Sequence, residues 1–306
     1  MRTAAVCVMV GLVGATPALA QSNGPGSGSG GASGATLVSF DARPSSPSNA
    51  TATISPSTVP QAMERLDDRP GDFVLSLGTL YAGGDFGTDS NTSIVSSAVG
   101  ARLRTGGLRL TASLPWMRIR SNATIFTGID STPVLVATDS AARRRTSRGF
   151  GDLTLGAAYS LTPKGSDVEL ELSGRVKLDT ATRKSGLSSG EKDYAVGVQV
   201  TKPVGRFGPF VSATYRSLGD TAAFRLRDGF AGSVGSSVLV GERTFLLASY
   251  HYAEAATRLV RDAHELFLGG SMPVAGTRLR VTAFGTAGLS RGAAGRSAGI
   301  SLSQAF

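Results

Sequence analysis

The stretch Leu153–Leu161 alternates without a break between apolar residues and small or polar ones. The small or polar positions are Thr154, Gly156, Ala158 and Ser160. A period of two over this length is typical of a β-strand with two unlike faces. The stretch is close in length to the roughly 9–11 residues that cross a bilayer on a tilt. Because the pattern recurs to the end of the chain at Phe306, the sequence predicts a transmembrane β-barrel.

The composition argues against a helical membrane protein. Hydrophobic residues make up only 41% of the 306 residues, and charged residues make up 17%. Downstream of the N-terminus, no apolar run reaches the roughly 18 residues that a transmembrane helix requires. The apolar residues are therefore diluted by alternation, as in the strands of a barrel.

About twelve alternating segments follow one another, and an even number is usual in single-chain bacterial barrels. The predicted strands are 72–82, 92–104, 107–119, 150–162, 166–178, 192–204, 207–217, 228–240, 243–255, 261–274, 276–288 and 296–306. Short turns alternate with longer loops, and outer-membrane barrels have short periplasmic turns and longer outer loops. With both termini in the periplasm, every long loop falls outside. All six tyrosines fall on the apolar face, near the interfaces where amphipathic rings prefer to lie.

The N-terminal residues are predicted to lie outside the barrel, which we expect to span 71–306. Residues 1–20 have the positive charge, apolar region and Ala-Leu-Ala cleavage site of a signal peptide. The single cysteine, Cys7, lies within it, so the mature chain has neither a disulfide nor a cysteine nucleophile. Residues 21–70 are rich in Gly, Ser and Pro and are predicted to form either a periplasmic tail or a small plug in the lumen.

The formal net charge of +9 raises the question of an anionic partner. An exported chain with scattered Arg and Lys is not expected to bind nucleic acid, and lipopolysaccharide phosphates are the anions it meets. The predicted outer loop 120–149 carries a basic cluster. This cluster is either a solvated face, or a clamp on lipopolysaccharide phosphates or a lure for anionic solutes. Its members are Arg143, Arg144, Arg145 and Arg148.

Charged strand positions are expected to face the lumen, because a charge in lipid near the midplane costs roughly 2–4 kcal/mol. In the predicted register these positions are Arg102, Arg104, Arg109, Glu169, Glu171, Arg175, Lys177, Arg216, Glu265 and Arg280. Two interpretations remain open. The charges form a mixed-sign network that satisfies itself in a narrow barrel. Alternatively, a cationic constriction selects anions or aromatic acids. Its ring would comprise Arg109, Arg175, Arg216 and Arg280.

Catalytic, metal-ligating and cofactor-binding residues are not predicted. Ser249 and His251 share a face, but that face turns to the lumen, and the chain has no Gly-x-Ser-x-Gly elbow. Two distant histidines without a mature cysteine argue against zinc. An outer-membrane lipase therefore remains the least favoured of the alternatives.

The run from Gly149 to Leu161 resembles the "MetA-pathway of phenol degradation" family of outer-membrane proteins. Its members carry a Gly-Phe-Gly-Asp motif that opens a strand after a long outer loop, here Gly149, Phe150, Gly151 and Asp152. The stretch Leu110–Trp116 is similar to an upstream strand of members that ends in Leu-Pro-aromatic. The resemblance covers about 72–306 and implies a transport or channel component of the outer membrane. It implies no catalytic residues.

The last strand also resembles a targeting element. A terminal phenylalanine after an alternating strand, here Phe306, is similar to the sorting signal that the barrel-insertion machinery reads. The sequence thus predicts a barrel in the outer membrane of a Gram-negative bacterium. Small inward-facing residues favour passive passage of small solutes, hydrophobic or aromatic ones included. The alternative is a non-conducting structural or surface barrel that acts through its outer loops.

Overall fold

A computed structural model describes residues 73–86, 91–129, 133–137, 143–182, 185–220, 225–241, 243–259 and 261–306. The described residues all belong to one compact unit of the chain. The predicted signal peptide, 1–20, and the predicted tail or plug, 21–70, lie outside the described residues, so both stay predictions.

Fifteen strands are present in the described part of the chain. They are β1 (Phe73–Gly84), β2 (Thr92–Thr105), β3 (Leu108–Ser121), β4 (Thr124–Thr127), β5 (Pro133–Ala137), β6 (Arg145–Phe150), β7 (Leu153–Leu161), β8 (Glu169–Leu178), β9 (Asp193–Thr201), β10 (Phe207–Ser217), β11 (Gly229–Val240), β12 (Thr244–Ala253), β13 (Ala263–Pro273), β14 (Leu279–Gly288) and β15 (Arg296–Ala305).

The sheet closes on itself. Each strand pairs antiparallel with its neighbours, and β1 pairs with both β2 and β15. Of the thirteen strands in the sheet, β6 and β7 pair in succession with the same partner, β3, and together occupy one position. Twelve positions therefore form a closed barrel, which confirms the predicted fold. No helix among the described residues is long and apolar enough to cross a membrane.

Two ends of the barrel differ in their connections. At one end, here named the turn end, short turns join β2 to β3, β9 to β10, β11 to β12 and β13 to β14. These turns carry glycines with positive φ, such as Gly106 (φ 58°) and Gly276 (φ 73°), a backbone conformation that other residues rarely adopt. The opposite end, named the loop end, carries the longer connections.

The apolar side chains of the strands face outward. Val211 and Val234 are direct cross-strand partners, and both are more than half exposed. The adjacent pair, Ser212 and Ser233, faces the lumen, where the two hydroxyls lie 2.6 Å apart. A soluble protein would bury the valines, because apolar surface in water is unfavourable. This arrangement suits a barrel surrounded by lipid.

The outward face also carries the aromatic rings. Tyr81, Tyr159, Tyr194 and Tyr215 are exposed there. Tyr250 and Tyr252 are half-buried on the same face, and their hydroxyls contact His264 and Asp262, respectively. The prediction that all six tyrosines point outward is confirmed.

The predicted outer loop 120–149 is more structured than expected. Every predicted strand overlaps an observed one, but β3 extends to Ser121 and β6 begins at Arg145. Between them β4 and β5 form a separate hairpin. These strands are short and irregular, and their alternation is too brief to predict them from period alone.

Candidate functional site: the lumen and its loop-end closure

Small and hydroxyl-bearing side chains line the middle of the lumen. They are only partly buried, so the middle of the barrel is accessible to solvent-sized molecules. The partly buried inward positions include Ser76, Gly78, Thr111, Ser113, Gly156, Ser173, Gly197, Ser212, Thr214 and Ser233. Such a lining leaves room and offers hydrogen bonds to water or to a solute.

One side of the lumen is lined by aromatic side chains and is here named the aromatic wall. Phe210, Leu247 and Phe267 form a buried cluster, and Phe284 packs against it. The rings of Phe267 and Phe284 lie 5.8 Å apart between centroids. These side chains come from β10, β12, β13 and β14, so this wall differs from the small polar side chains elsewhere in the lumen.

Sequence reasoning missed the aromatic wall, although its signal is present in the chain. Phe210 is two residues from Ser212 and therefore has the parity of a lumen-facing position. Phe267 likewise stands two residues from Glu265. A phenylalanine in phase with the polar residues of its strand, rather than with the apolar ones, therefore marks this part of the lumen wall.

Near the turn end, two of the predicted lumen charges have partners within the barrel. Arg109 Nη2 lies 2.8 Å from both carboxylate oxygens of Glu171, and both side chains are buried. Ser160 donates a further hydrogen bond of 3.2 Å to Glu171. Arg280 donates to Ser271 Oγ at 3.0 Å and lies 5.5 Å from the centre of the Phe245 ring.

The four arginines predicted as one ring lie at different heights. Arg109 is the second residue of β3, and Arg280 is the second residue of β14, both counted from the turn end. Arg216 is the tenth of eleven residues in β10, near the loop end, where it donates to the carbonyl oxygen of Glu254 at 2.9 Å. Arg175 lies between these levels and faces the lumen, half-buried. The structure thus separates the four guanidinium groups into more than one level.

The remaining predicted lumen charges lie on inward positions. Arg102 and Glu169 are half-buried near the turn end of β2 and β8. Glu265 is buried near the loop end of β13. Its Oε1 atom has no hydrogen-bond partner among the described residues.

Lys177 joins the barrel wall to the loops at the loop end. Its ammonium nitrogen lies 3.2 Å from Asp152 Oδ2 and 3.1 Å from Asp193 Oδ2. It also donates to the carbonyl oxygen of Thr127 in β4 and to Ser189 Oγ, each at 3.2 Å. This group, here named the Lys177 network, is almost fully buried and fixes the hairpin to the wall.

Three residues of the Gly-Phe-Gly-Asp motif, the two glycines and the aspartate, have structural roles here. Gly149 has φ 155°, a conformation that favours glycine, and a Cβ on Gly151 would lie 3.1 Å from Pro115. Phe150 is exposed on the outer face. Asp152 accepts hydrogen bonds from the backbone N–H groups of residues 180 and 181 and from a serine hydroxyl, and it pairs with Lys177. The motif therefore shapes the break between β6 and β7 and anchors the loop end.

The β4–β5 hairpin crosses the loop end of the barrel. Ile125 and Leu135 pack in one cluster with Leu187 and with inward-facing side chains of β1, β2 and β3. Those wall residues are Leu80, Ala82, Ile94, Met117 and Ile119. On the other side, Val134 packs against Leu218, and Thr257 donates to the carbonyl oxygen of Leu135 at 3.2 Å. The hairpin thus contacts the wall at β1, β2 and β3 on one side and the loops after β10 and β12 on the other, so its apolar residues lie across the loop end of the lumen.

The basic cluster of the predicted outer loop does not lie on one surface. Arg143 and Arg144 are exposed, and Arg144 donates to the carbonyl oxygen of Asn91. Arg145 is the cross-strand partner of Ser121, which faces inward. Arg148 stands directly opposite Arg118 on the outer face.

The serine and histidine of the lipase alternative do meet. Ser249 Oγ lies 2.8 Å from His251 Nε2, and both side chains face the lumen. Within the described part of the chain, no carboxylate hydrogen-bonds His251 to complete a triad, so the geometry lacks the group that orients the base. The same residues include no group of three or more His, Cys, Asp or Glu side chains that could hold a metal ion.

A closed antiparallel barrel with apolar side chains outside and polar side chains around a lumen defines the class of transmembrane β-barrels. Solved structures similar to this chain include two channel or transporter proteins and the translocator domain of an autotransporter. The CymD monoaromatic hydrocarbon channel is 11% identical, covers 83% of this chain and 94% of its own, and has a TM-score of 0.42. The translocator domain of the autotransporter NalP from Neisseria meningitidis is 12% identical, with coverages of 81% and 94% and a TM-score of 0.49.

The P. putida toluene transporter TodX is 11% identical, with coverages of 80% and 92% and a TM-score of 0.40. No protein-family model matches the chain. No curated protein matches it either. The resemblance to the "MetA-pathway of phenol degradation" family therefore stays a prediction, and the barrel assignment rests on the strand pairing itself.

Proposed function

We propose that the protein is an outer-membrane channel for passive passage of small solutes. The observation that carries this proposal is the lumen of partly exposed small side chains inside a closed barrel. Twelve strands make a barrel wider than the eight-stranded ones that side chains fill, yet narrower than the 16- to 18-stranded porins. In this proposal the turn end and both termini face the periplasm, since short turns lie on that side in such barrels.

Aromatic or hydrophobic solutes are the proposed cargo. Phe210, Phe267 and Phe284 offer an apolar surface to a ring, and hydroxyls on the opposite wall can bind a polar substituent. Arg280, which contributes a positive charge near the turn end, would attract a carboxylate. This cargo agrees with the resemblance of the run from Gly149 to Leu161 to the "MetA-pathway of phenol degradation" family.

The β4–β5 hairpin favours a second candidate, a barrel that does not conduct and acts through its outer loops. The hairpin packs apolar residues across the loop end, and the Lys177 network holds it there. A channel requires this closure to open or to admit apolar solutes between the packed side chains. The two candidates therefore differ in whether solutes pass the hairpin.

Conductance in planar bilayers separates the two candidates. The test compares the mature chain with a variant in which a Gly/Ser linker replaces residues 124–137. Steady conductance of the unmodified protein supports the channel, and larger conductance of the variant assigns closure to the hairpin. Silence from both proteins, after insertion is verified, would favour the non-conducting barrel.

Liposome swelling tests the cargo. We expect benzoate to enter faster than arabinose, and we expect Phe267→Ser to reduce benzoate entry more than arabinose entry. Phe267→Leu is the control, because it keeps an apolar side chain at this position. Equal effects of Phe267→Ser on both solutes would show that the aromatic wall does not select the solute.

A further inference from the structure

Three arginines lie side by side on the outer face of the barrel at the loop end. Arg118 and Arg120 are on β3, Arg148 is on β6, and all three are exposed. Arg118 is the direct cross-strand partner of Arg148. Like charges in directly opposed positions destabilise a sheet. This arrangement, here named the arginine row, therefore calls for a counter-charge.

Nothing in the neighbouring strands supplies that charge. Among the described residues, no carboxylate forms an ion pair with Arg118, Arg120 or Arg148. The outward neighbours across β2 and β1 are uncharged, and β15 contributes a further cation. These neighbours are Ser93, Val95, Gly83, Tyr81 and, on β15, Arg296.

The arginine row begins where the apolar surface ends. Trp116 and Phe150 are cross-strand partners on the same face, one outward position nearer the turn end, and they are 37% and 53% exposed. Leu114 and Leu110 continue this face toward the turn end and are also exposed. Aromatic rings on the outside of a barrel lie at the boundary between hydrocarbon and headgroups. The guanidinium groups therefore lie at the depth of the headgroups. Next to them, toward the turn end, runs a strip of exposed apolar side chains from Trp116 to Leu110, here named the apolar track.

We infer that the arginine row binds the phosphates of a membrane lipid that carries more than one phosphate group, in the leaflet at the loop end. Guanidinium groups match phosphate oxygens as two-pronged donors. The acyl chains of the same lipid would lie on Trp116 and Leu114. An amphipathic ligand of this kind satisfies both the cations and the apolar track, whereas a free phosphate satisfies only the cations.

The spread of the cations argues for more than one phosphate. Arg118 and Arg120 are two residues apart on one strand, which is about 7 Å. Arg296 stands three strand spacings from Arg120, which is about 14 Å. A single phosphodiester, with one negative charge, cannot reach across this span. The inference rests on the proposed placement of the barrel in the membrane, and not on transport through it.

Lipid retention by the full mature chain tests the inference. The purified barrel is incubated in detergent with diphosphoryl lipid A, separated from free lipid, and analysed by native mass spectrometry. We expect the triple variant Arg118→Gln/Arg120→Gln/Arg148→Gln to retain at least roughly ten-fold less lipid A, because charge-assisted hydrogen bonds to phosphate are lost.

The matched control removes three cations from the turn end. Lys202, Arg206 and Arg278 are exposed there, and their triple replacement by Gln should leave retention unchanged. Phosphatidylglycerol and inorganic phosphate are tested in parallel, and weaker retention of both is expected. Equal retention of lipid A by the unmodified protein and the arginine variant, or of phosphatidylglycerol and lipid A, would overturn the inference. Conductance of the same samples reports separately on the channel proposal.

Discussion

The ammonium nitrogen of Lys177 lies 3.2 Å from Oδ2 of Asp152, and both side chains are 1% exposed. Asp152 closes the Gly-Phe-Gly-Asp motif, and Lys177 also reaches the carbonyl oxygen of Thr127 in the hairpin. The Gly-Phe-Gly-Asp motif is thus linked through the buried ammonium group of Lys177 to the β4–β5 hairpin, which lies across the loop end of the lumen.

Removing this cation should loosen the loop end. We expect Lys177→Met to cost about 3–5 kcal/mol of stability, because two buried carboxylates lose their partner. The release of Thr127 should also raise the fraction of time the barrel conducts. Urea titration in vesicles measures the first effect, and single-channel recording measures the second. Lys164→Met is the control, since Lys164 is exposed near the turn end; an unchanged open fraction in Lys177→Met would contradict the link to the hairpin.

The lumen charges near the turn end predict a contrast in ion selectivity. Arg109 and Glu171 neutralise each other, so Arg109→Gln/Glu171→Gln leaves the net charge of the lumen unchanged. Arg280→Gln removes one positive charge near the same end. We expect the reversal potential in a salt gradient to shift toward cations for Arg280→Gln and to stay near the original value for the double variant. If neither variant shifts it, these groups do not line the ion path.

The orientation of β11 predicts how a new charge acts on folding. Val234 faces outward, and Ser233 faces the lumen. An arginine on the lipid face near the midplane costs roughly 2–4 kcal/mol. We therefore expect Val234→Arg to lower the free energy of unfolding in phospholipid vesicles by that amount, and Ser233→Arg to lower it less. A larger loss for Ser233→Arg would mean that the faces are inverted.

The sequence alone predicted the barrel because apolar residues that face lipid alternate along each strand with small or polar residues that face the lumen. Val211, Ser212 and their partners on β11 show the alternation that placed lipid on one side and the lumen on the other. The same reasoning placed the tyrosines outside. Register then followed from pattern and turn length, since a slip of one residue exchanges the two faces.

The closure at the loop end could not be predicted in this way. Ile125 and Leu135 lie in a long loop, and their burial depends on contacts with β1, β2 and β3 that are distant in sequence. The pairing of Lys177 with Asp152 depends on which loops fold inward. Alternation assigned Lys177 to the lumen but carried no information on its height or its partners.

Phe306, which follows β15, allows a role in sorting to be separated from a role in stability. The backbone N–H of Phe306 donates to the carbonyl oxygen of Phe73 at 2.9 Å, and the two rings lie 6.2 Å apart between centroids. The side chain itself is more than half exposed on the outer face, so its removal should change stability by less than about 1 kcal/mol beyond the lost ring contact. If Phe306 is also a sorting signal, Phe306→Ala, which keeps the backbone hydrogen bond, should sharply reduce the amount of folded barrel in the outer membrane of cells, while refolding into vesicles proceeds nearly as before. Phe306→Tyr, which keeps an aromatic ring, is expected to assemble normally. Parallel losses in cells and in vesicles would instead assign Phe306 to closing the barrel between β15 and β1.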